Sequence, residues 1–197
     1  MGVTGRDIVV IGGSAGGVTA LREIVAGLPK RLPATLFVVL HRPSASPSRL
    51  PELLNKLDTL PSSHAVDQQR FQPGHIYVAP PDRHLLLSDG TMRVTLGPRE
   101  NGFRPAVDPL FRTAAEHHGA RVIGVILSGA LDDGTRGLQA VKRAGGVAIV
   151  QDIEDATVRN MPLSAIRNVE VDHIAHAAAI AALIQQGVAA EAPFAPA

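Results

Sequence analysis

The chain has 197 residues, 45% hydrophobic and 19% charged, with no cysteine and a formal net charge of +1. That length suits one domain with a sizeable core. The missing cysteines exclude a disulfide framework, a thiol nucleophile and a thiolate zinc site. A near-neutral balance with 3% aromatics offers neither bulk attraction nor stacking platforms to nucleic acid. The first residues, MGVTGRD, lack a signal-peptide layout, and Arg6 stands where a myristoylation signal needs Ser or Thr. No run approaches the roughly 20 apolar residues that cross a bilayer. A cytoplasmic protein without membrane insertion is expected.

In chain order, Asp7 to Ile11 (DIVVI) reads as a buried strand and Val18 to Leu28 as a helix ending before Pro29. Thr35 to Leu40 (TLFVVL) is a second buried strand, running into His41-Arg42-Pro43 and a Ser/Pro-rich loop. Leu50 to Leu57 is a short helix with Pro51 in its first turn. HIYVAP, HLLLS and MRVTL follow as three short strands, with Asp89-Gly90 as a hairpin turn between the last two. They predict an antiparallel excursion at a sheet edge. Val107 to His118 is helical, Arg121 to Leu127 a buried strand, Asp133 to Ala144 a helix, and GVAIVQ a strand. A short helix from about Pro162 and an Ala-rich one from Ile174 complete a domain expected over 1–190, with 191–197 (EAPFAPA) a disordered tail. The alternation of strand and helix predicts a doubly wound, mainly parallel α/β sheet with helices on both faces and a β-hairpin at its edge. In such sheets the functional crevice lies beyond the carboxyl ends of the strands.

Three chemical groups stand at those ends. Ser14 follows DIVVI, His41 follows TLFVVL, and Asp132-Asp133 follow RVIGVIL in the segment SGALDDG. They are the groups of a serine hydrolase: nucleophile, base and orienting carboxylate. The Gly-rich turn GGSAGG fails the dinucleotide fingerprint, because Ser14 occupies the second glycine position, and fails the P-loop, because Val18 follows Gly17. It does match Gly12-x-Ser14-x-Gly16, a nucleophile elbow in its strand-turn-helix context. The order Ser14, His41, Asp133 differs from the serine, acid, histidine order of α/β-hydrolases. Each residue also has a plainer role: Ser14 or an aspartate as a helix cap, His41 as a structural histidine. His117-His118 and His173/His176 read as helix-surface residues, and no carboxylate cluster suggests a metal.

The stretches IGGSAGG, VVLHRP, GHIYVAPPDRHLLL, RPAVDPLFRTAA, GVILSGALDDGTRGL and AIVQD with ATVRNMP together resemble the catalytic domain of the chemotaxis protein-glutamate methylesterase, from about Ile8 to about Ile184. The resemblance implies a cofactor-free triad at Ser14, His41 and Asp133, Asp133 being the match because it directly precedes the glycine. It implies hydrolysis of γ-glutamyl methyl esters, and in some members deamidation of glutamines, on the cytoplasmic helical domain of chemoreceptors. Amides near Ala15 or Ala130 would hold the oxyanion. Arg104 would either help position an acidic substrate or serve as a salt-bridge partner. Ala15, Ala130-Leu131 and Arg42 depart from the family's usual Thr, Met-Gly and Met. The receiver domain that typical members carry before this one is not expected here. The rival readings are a same-mechanism esterase or amidase with another substrate, a catalytically silent binding module, and, last, a nucleotide-binding protein.

Overall fold

A computed structural model describes residues 5–41 and 48–190. The strands are β1 (Ile8–Gly13), β2 (Thr35–Leu40), β3 (Ser62–His64), β4 (Ile76–Val78), β5 (His84–Ser88), β6 (Thr91–Thr95), β7 (Val122–Ile126), β8 (Val147–Gln151) and β9 (His173–Ala175). The helices are α1 (Gly17–Ala26), α2 (Leu50–Asn55), α3 (Val107–His118), α4 (Thr135–Arg143), α5 (Asn160–Asn168) and α6 (Ala177–Ala189).

Seven strands form one parallel sheet in the order β3-β4-β2-β1-β7-β8-β9. Its central strands are apolar throughout because both faces are covered. Side chains alternate between faces along each strand, so Val9 and Ile11 join one core while Ile8 and Val10 join the other. The first core takes Leu21 and Ile24 of α1, Leu54 of α2, and Ile180 and Ile184 of α6. The second takes Leu110 and Phe111 of α3, Leu138 of α4, Met161 of α5, and Leu85 and Leu87 of the hairpin. Each such fully buried side chain contributes about 1.5–3 kcal/mol, which makes this double-sided burial the main support of the sheet.

Two segments differ from the sequence reading. Ile76–Val78 is not part of the antiparallel excursion; it pairs parallel with β2 and β3, and all three residues are buried. The hairpin itself, β5–β6, turns at Asp89-Gly90 as expected but forms a separate two-stranded sheet. It packs beside α3, whose Thr113 Oγ1 accepts from the Leu87 N–H at 3.0 Å. The expected helix from Ile174 starts later. His173–Ala175 adds a short edge strand to β8, and α6 begins at Ala177, whose N–H donates to Asp155 Oδ2 at 2.8 Å. The expected tail and Arg42 lie outside the described residues. Among the described residues no helix is long and apolar enough to cross a membrane.

Candidate active site

The parallel register sets Gly13 beside Leu40 and Gly12 beside Ile126, so the carboxyl ends of β2, β1 and β7 lie side by side. Ser14 and His41 are the first residues past adjacent strands, and the His41 N–H still donates to Gly13 O at 3.0 Å. On the other flank the Ser14 N–H donates to Ser128 O at 2.9 Å. Ser128 fixes the turn a second time, its hydroxyl donating to Ala15 O at 2.7 Å and accepting from the Val158 N–H at 2.9 Å.

Gly16 closes this turn into α1 with φ +81°. An L side chain there would be strained and would also collide, since a Cβ would lie 2.5 Å from Ser128 Oγ and 2.7 Å from Thr157 Cβ. Ser14 is half-buried and Ala15 exposed at the head of α1. Among the described residues nothing accepts from the Ala15 or Ala130 N–H. The Ala15 amide, just before the start of α1, suits an incoming negative charge.

His41 and Asp133 are in direct contact, with His41 Nε2 2.7 Å from Asp133 Oδ2 and their side chains 3% and 0% exposed. The other ring nitrogen, Nδ1, is buried and has no partner among the described residues. No hydrogen bond joins Ser14 Oγ to His41 among them either, a looseness common in substrate-free hydrolase sites. Asp133 Oδ2 also accepts from the Val107 N–H at 2.7 Å, while Oδ1 accepts from Asn101 Nδ2 at 2.7 Å and the Asp108 N–H at 3.1 Å. Burial is the largest single influence on this carboxyl and opposes its ionisation. The bonds from His41, Val107 and Asn101, with the attraction of His41, together outweigh it and hold the pKa below the ordinary value.

The plainer role of an aspartate here, capping the next helix, is not the one observed. Asp133 bonds the first amides of α3, not those of α4. Asp108 of α3 returns the arrangement: its Oδ1 accepts from Gly134 and Gly137 N–H at the start of α4, at 3.0 and 2.6 Å. Asn101 Nδ2 lies between the two carboxylates, donating to Asp108 Oδ2 at 2.9 Å as well as to Asp133. Burial pushes the Asp108 carboxyl up, the charge of Asp133 adds to that, and the bonds from Gly137 and Asn101 only partly offset it.

Phe103 lies flat on His41, ring centroids 3.6 Å apart and planes 7° from parallel. Next to it, Arg104 is fully engaged. Its guanidinium bonds both oxygens of Asp82, through Nη2 at 2.9 and 3.0 Å and Nε at 3.0 Å, and the Gly97 carbonyl at 2.9 Å. Asp132 is exposed and stands outside the Asp133 network. Of the other histidines, His118 is buried with its pKa lowered, chiefly by burial, while His117 faces Asp89 and His176 faces Asp155. Among the described residues no group of three or more His, Asp or Glu is placed to hold a metal. Asn101, Phe103, Asp108 and Ser128 escaped the sequence reading. Asn101 and Phe103 sit in an irregular loop, and their targets lie far off in the chain.

The CheB methylesterase family model matches residues 9–184. A protein of Leptospira interrogans is 39% identical over 169 residues, 85% of this chain and 88% of its own length. A Yersinia pestis protein named protein-glutamate methylesterase/protein-glutamine glutaminase is 38% identical over 168 residues, 83% of this chain; the match takes in 48% of the Yersinia protein. The crystal structure of the Thermotoga maritima CheB methylesterase catalytic domain superposes with a TM-score of 0.88 at 36% identity, covering 93% of this chain and 99% of that one. With the family model, a relative 39% identical and the solved catalytic domain in agreement, the chain belongs to the CheB methylesterase family.

Proposed function

We propose that the chain is a protein-glutamate methylesterase acting through Ser14, His41 and Asp133 on γ-glutamyl methyl esters of the cytoplasmic helical domain of chemoreceptors. Deamidation of glutamine at the same positions follows from the same chemistry. The observation that carries this reading is the buried His41–Asp133 pair at 2.7 Å, set at the strand end beside Ser14. Because Asp133 accepts at Nε2, that nitrogen keeps the proton and Nδ1 carries the free lone pair. Nδ1 is then the base.

Ser14 Oγ attacks the ester carbonyl and its proton passes to His41 Nδ1. Asp133 stabilises the imidazolium, whose charge would otherwise be buried unpaired. The carbonyl oxygen gains a negative charge, which the free Ala15 and Ala130 amides and the start of α1 receive. Collapse expels methoxide, which takes the proton from Nδ1 and leaves as methanol. Water then attacks the glutamyl-serine ester with Nδ1 again as base, and serine and a glutamate carboxylate are released. No cofactor enters either half. Arg104 takes the salt-bridge role of its two readings, since its donors are engaged by Asp82 and the Gly97 carbonyl. The substrate places the enzyme in the cytoplasm.

The test uses a receptor fragment bearing radiolabelled methyl esters. Wild type should release methanol, while Ser14→Ala and His41→Ala, folded by circular dichroism, should not. Undiminished release by either variant overturns the assignment.

A further inference from the structure

We infer that the turn from Glu100 to Arg104 is a positioning clamp for the His41–Asp133 pair, Phe103 setting the plane of the imidazole and Asn101 the orientation of the carboxylate. The inference rests on the proposed role of that pair. Phe103 and Asn101 are positioning residues here, acting through groups that do the chemistry.

His41 has one polar anchor. A single hydrogen bond at Nε2 fixes where that nitrogen points, but leaves the ring free to roll about the bond and change where Nδ1 points. Nothing polar among the described residues holds Nδ1. The parallel Phe103 face at 3.6 Å removes this freedom, because any roll drives the imidazole edge into the phenyl ring. Asp133 presents the complementary case. Its Oδ2 faces His41 while Oδ1 accepts from the Asp108 amide at 3.1 Å and from Asn101 at 2.7 Å, so Asn101 adds the side-chain bond that keeps the carboxylate in this orientation. One turn therefore touches both partners, on different atoms and by different forces.

The turn is itself rigid. Glu100 and Phe103 exchange both backbone hydrogen bonds, at 3.1 and 2.8 Å, across Asn101 and Gly102, which take φ +51° and +83°. It is tied down at each end. Arg112 of α3 bonds the Glu100 carboxylate twice, at 2.9 and 3.1 Å, and Arg104 bonds Asp82. The Glu100–Arg112 tether is substantially exposed to water, at 39% and 45%, and it is cut most cleanly at Glu100, because the Arg112 charge also reaches Asp108 and Asp133.

The experiment compares Phe103→Leu, Phe103→Tyr and Glu100→Ala with wild type. Turnover of methylated receptor fragment and of p-nitrophenyl acetate is measured beside thermal melting and the His41 ring-proton NMR signals. The stacked phenyl ring should displace those signals upfield in the wild type and in Phe103→Tyr, and the displacement should vanish in Phe103→Leu. Misplacing a reacting group by about an ångström costs up to about 100-fold, so kcat of Phe103→Leu should fall about 10- to 100-fold on both substrates, with KM unchanged. Phe103→Tyr should restore kcat. Glu100→Ala, which cuts the tether and leaves the Arg112 charge in place, should lower kcat less, also at constant KM. The inference is overturned by a Phe103→Leu enzyme with wild-type kcat, by a loss confined to KM, or by a tyrosine variant as impaired as the leucine one. Should the wild type hydrolyse neither substrate, the proposed function fails. The ring signals then still decide the clamp: unmoved in Phe103→Leu, they overturn it, and shifted and broadened, they support it.

Discussion

Replacing Asp133 by asparagine changes one atom and removes a charge at a side chain bonded on both of its oxygens. The carboxylate accepts four hydrogen bonds, from the Val107 and Asp108 amides, Asn101 and His41. An asparagine can satisfy only one pair. With its oxygen toward Val107 and His41, its NH2 confronts the Asp108 amide and Asn101. Reversed, it confronts the Val107 amide and His41. In either orientation one fixed backbone donor and one side chain lose their acceptor in a buried site. At about 1–3 kcal/mol for each unmade buried bond, the loss comes to about 2–6 kcal/mol. For a domain of this size each kcal/mol moves Tm by about 2–4 °C, so a fall of about 4–24 °C is expected. The reversed orientation also forces the proton of His41 from Nε2 to Nδ1 and abolishes the base, an effect of the order of 10⁴ in kcat. The other keeps the tautomer but leaves the imidazolium without its counter-charge. Circular-dichroism melts at neutral pH and methanol release from methylated receptor fragment read the two losses separately. A variant melting within about 2 °C of the wild type would refute the four-bond account, and one with full turnover would refute the role of the His41–Asp133 contact.

Three further outcomes are expected. The Asp133 carboxyl is held below its ordinary 3.8 in the fold; its stabilising contribution is therefore complete above that value and is lost as pH falls through the lower folded pKa. Asp108, with a raised pKa, acts in the opposite sense and favours the fold as pH falls toward 3.8. In Tm-against-pH curves Asp133→Asn should accordingly decline less steeply below 3.8 than wild type, and parallel curves would count against the linkage. Gly129→Ala would set a Cβ 2.1 Å from Met161 Sδ and 2.8 Å from Ser14 Cβ. It should cost about 1–3 kcal/mol of stability and lower kcat by displacing Ser14; wild-type kinetics would show that the Ser14 turn yields without consequence. Leu131 is exposed with φ +65°, a conformation costing a non-glycine residue about 1–2 kcal/mol. After the entropy that glycine loses on folding, Leu131→Gly should still gain up to about 1 kcal/mol, and an unchanged or lower Tm would contradict this.

How far the sequence could be read follows the range of the interactions involved. β1, β2, β7 and β8 were legible because burial on both faces writes continuous apolar runs, and the hairpin because Asp89-Gly90 marks a turn locally. Ser14, His41 and Asp133 stood out as chemical groups at strand ends, and the sheet brings those ends together. The three-residue strand Ser62–His64 carries no apolar run and exists through pairing with Ile76–Val78. His173–Ala175 looks helical because alanines follow it, and becomes a strand only by lying along Ile149–Gln151. Asn101 and Phe103 bond and stack on partners 32 and 62 positions away, contacts that no local pattern encodes. The alternatives open for Arg104 depended on Asp82, 22 residues back, for the same reason.

The crossed carboxylates of α3 and α4 have a consequence for anyone rebuilding this molecule. Asp108 is carried by one helix and completes the start of the other, and Asp133, immediately before that second helix, completes the start of the first. Neither helix is a self-sufficient part. A transplant of the serine turn and its histidine into another parallel sheet would arrive without the anion the histidine needs, unless both helices travelled with it. Fraying of either one would disconnect the chemistry before the sheet gave way. The smallest portable unit of the proposed active site is the interlocked helix pair together with the strand ends beneath it.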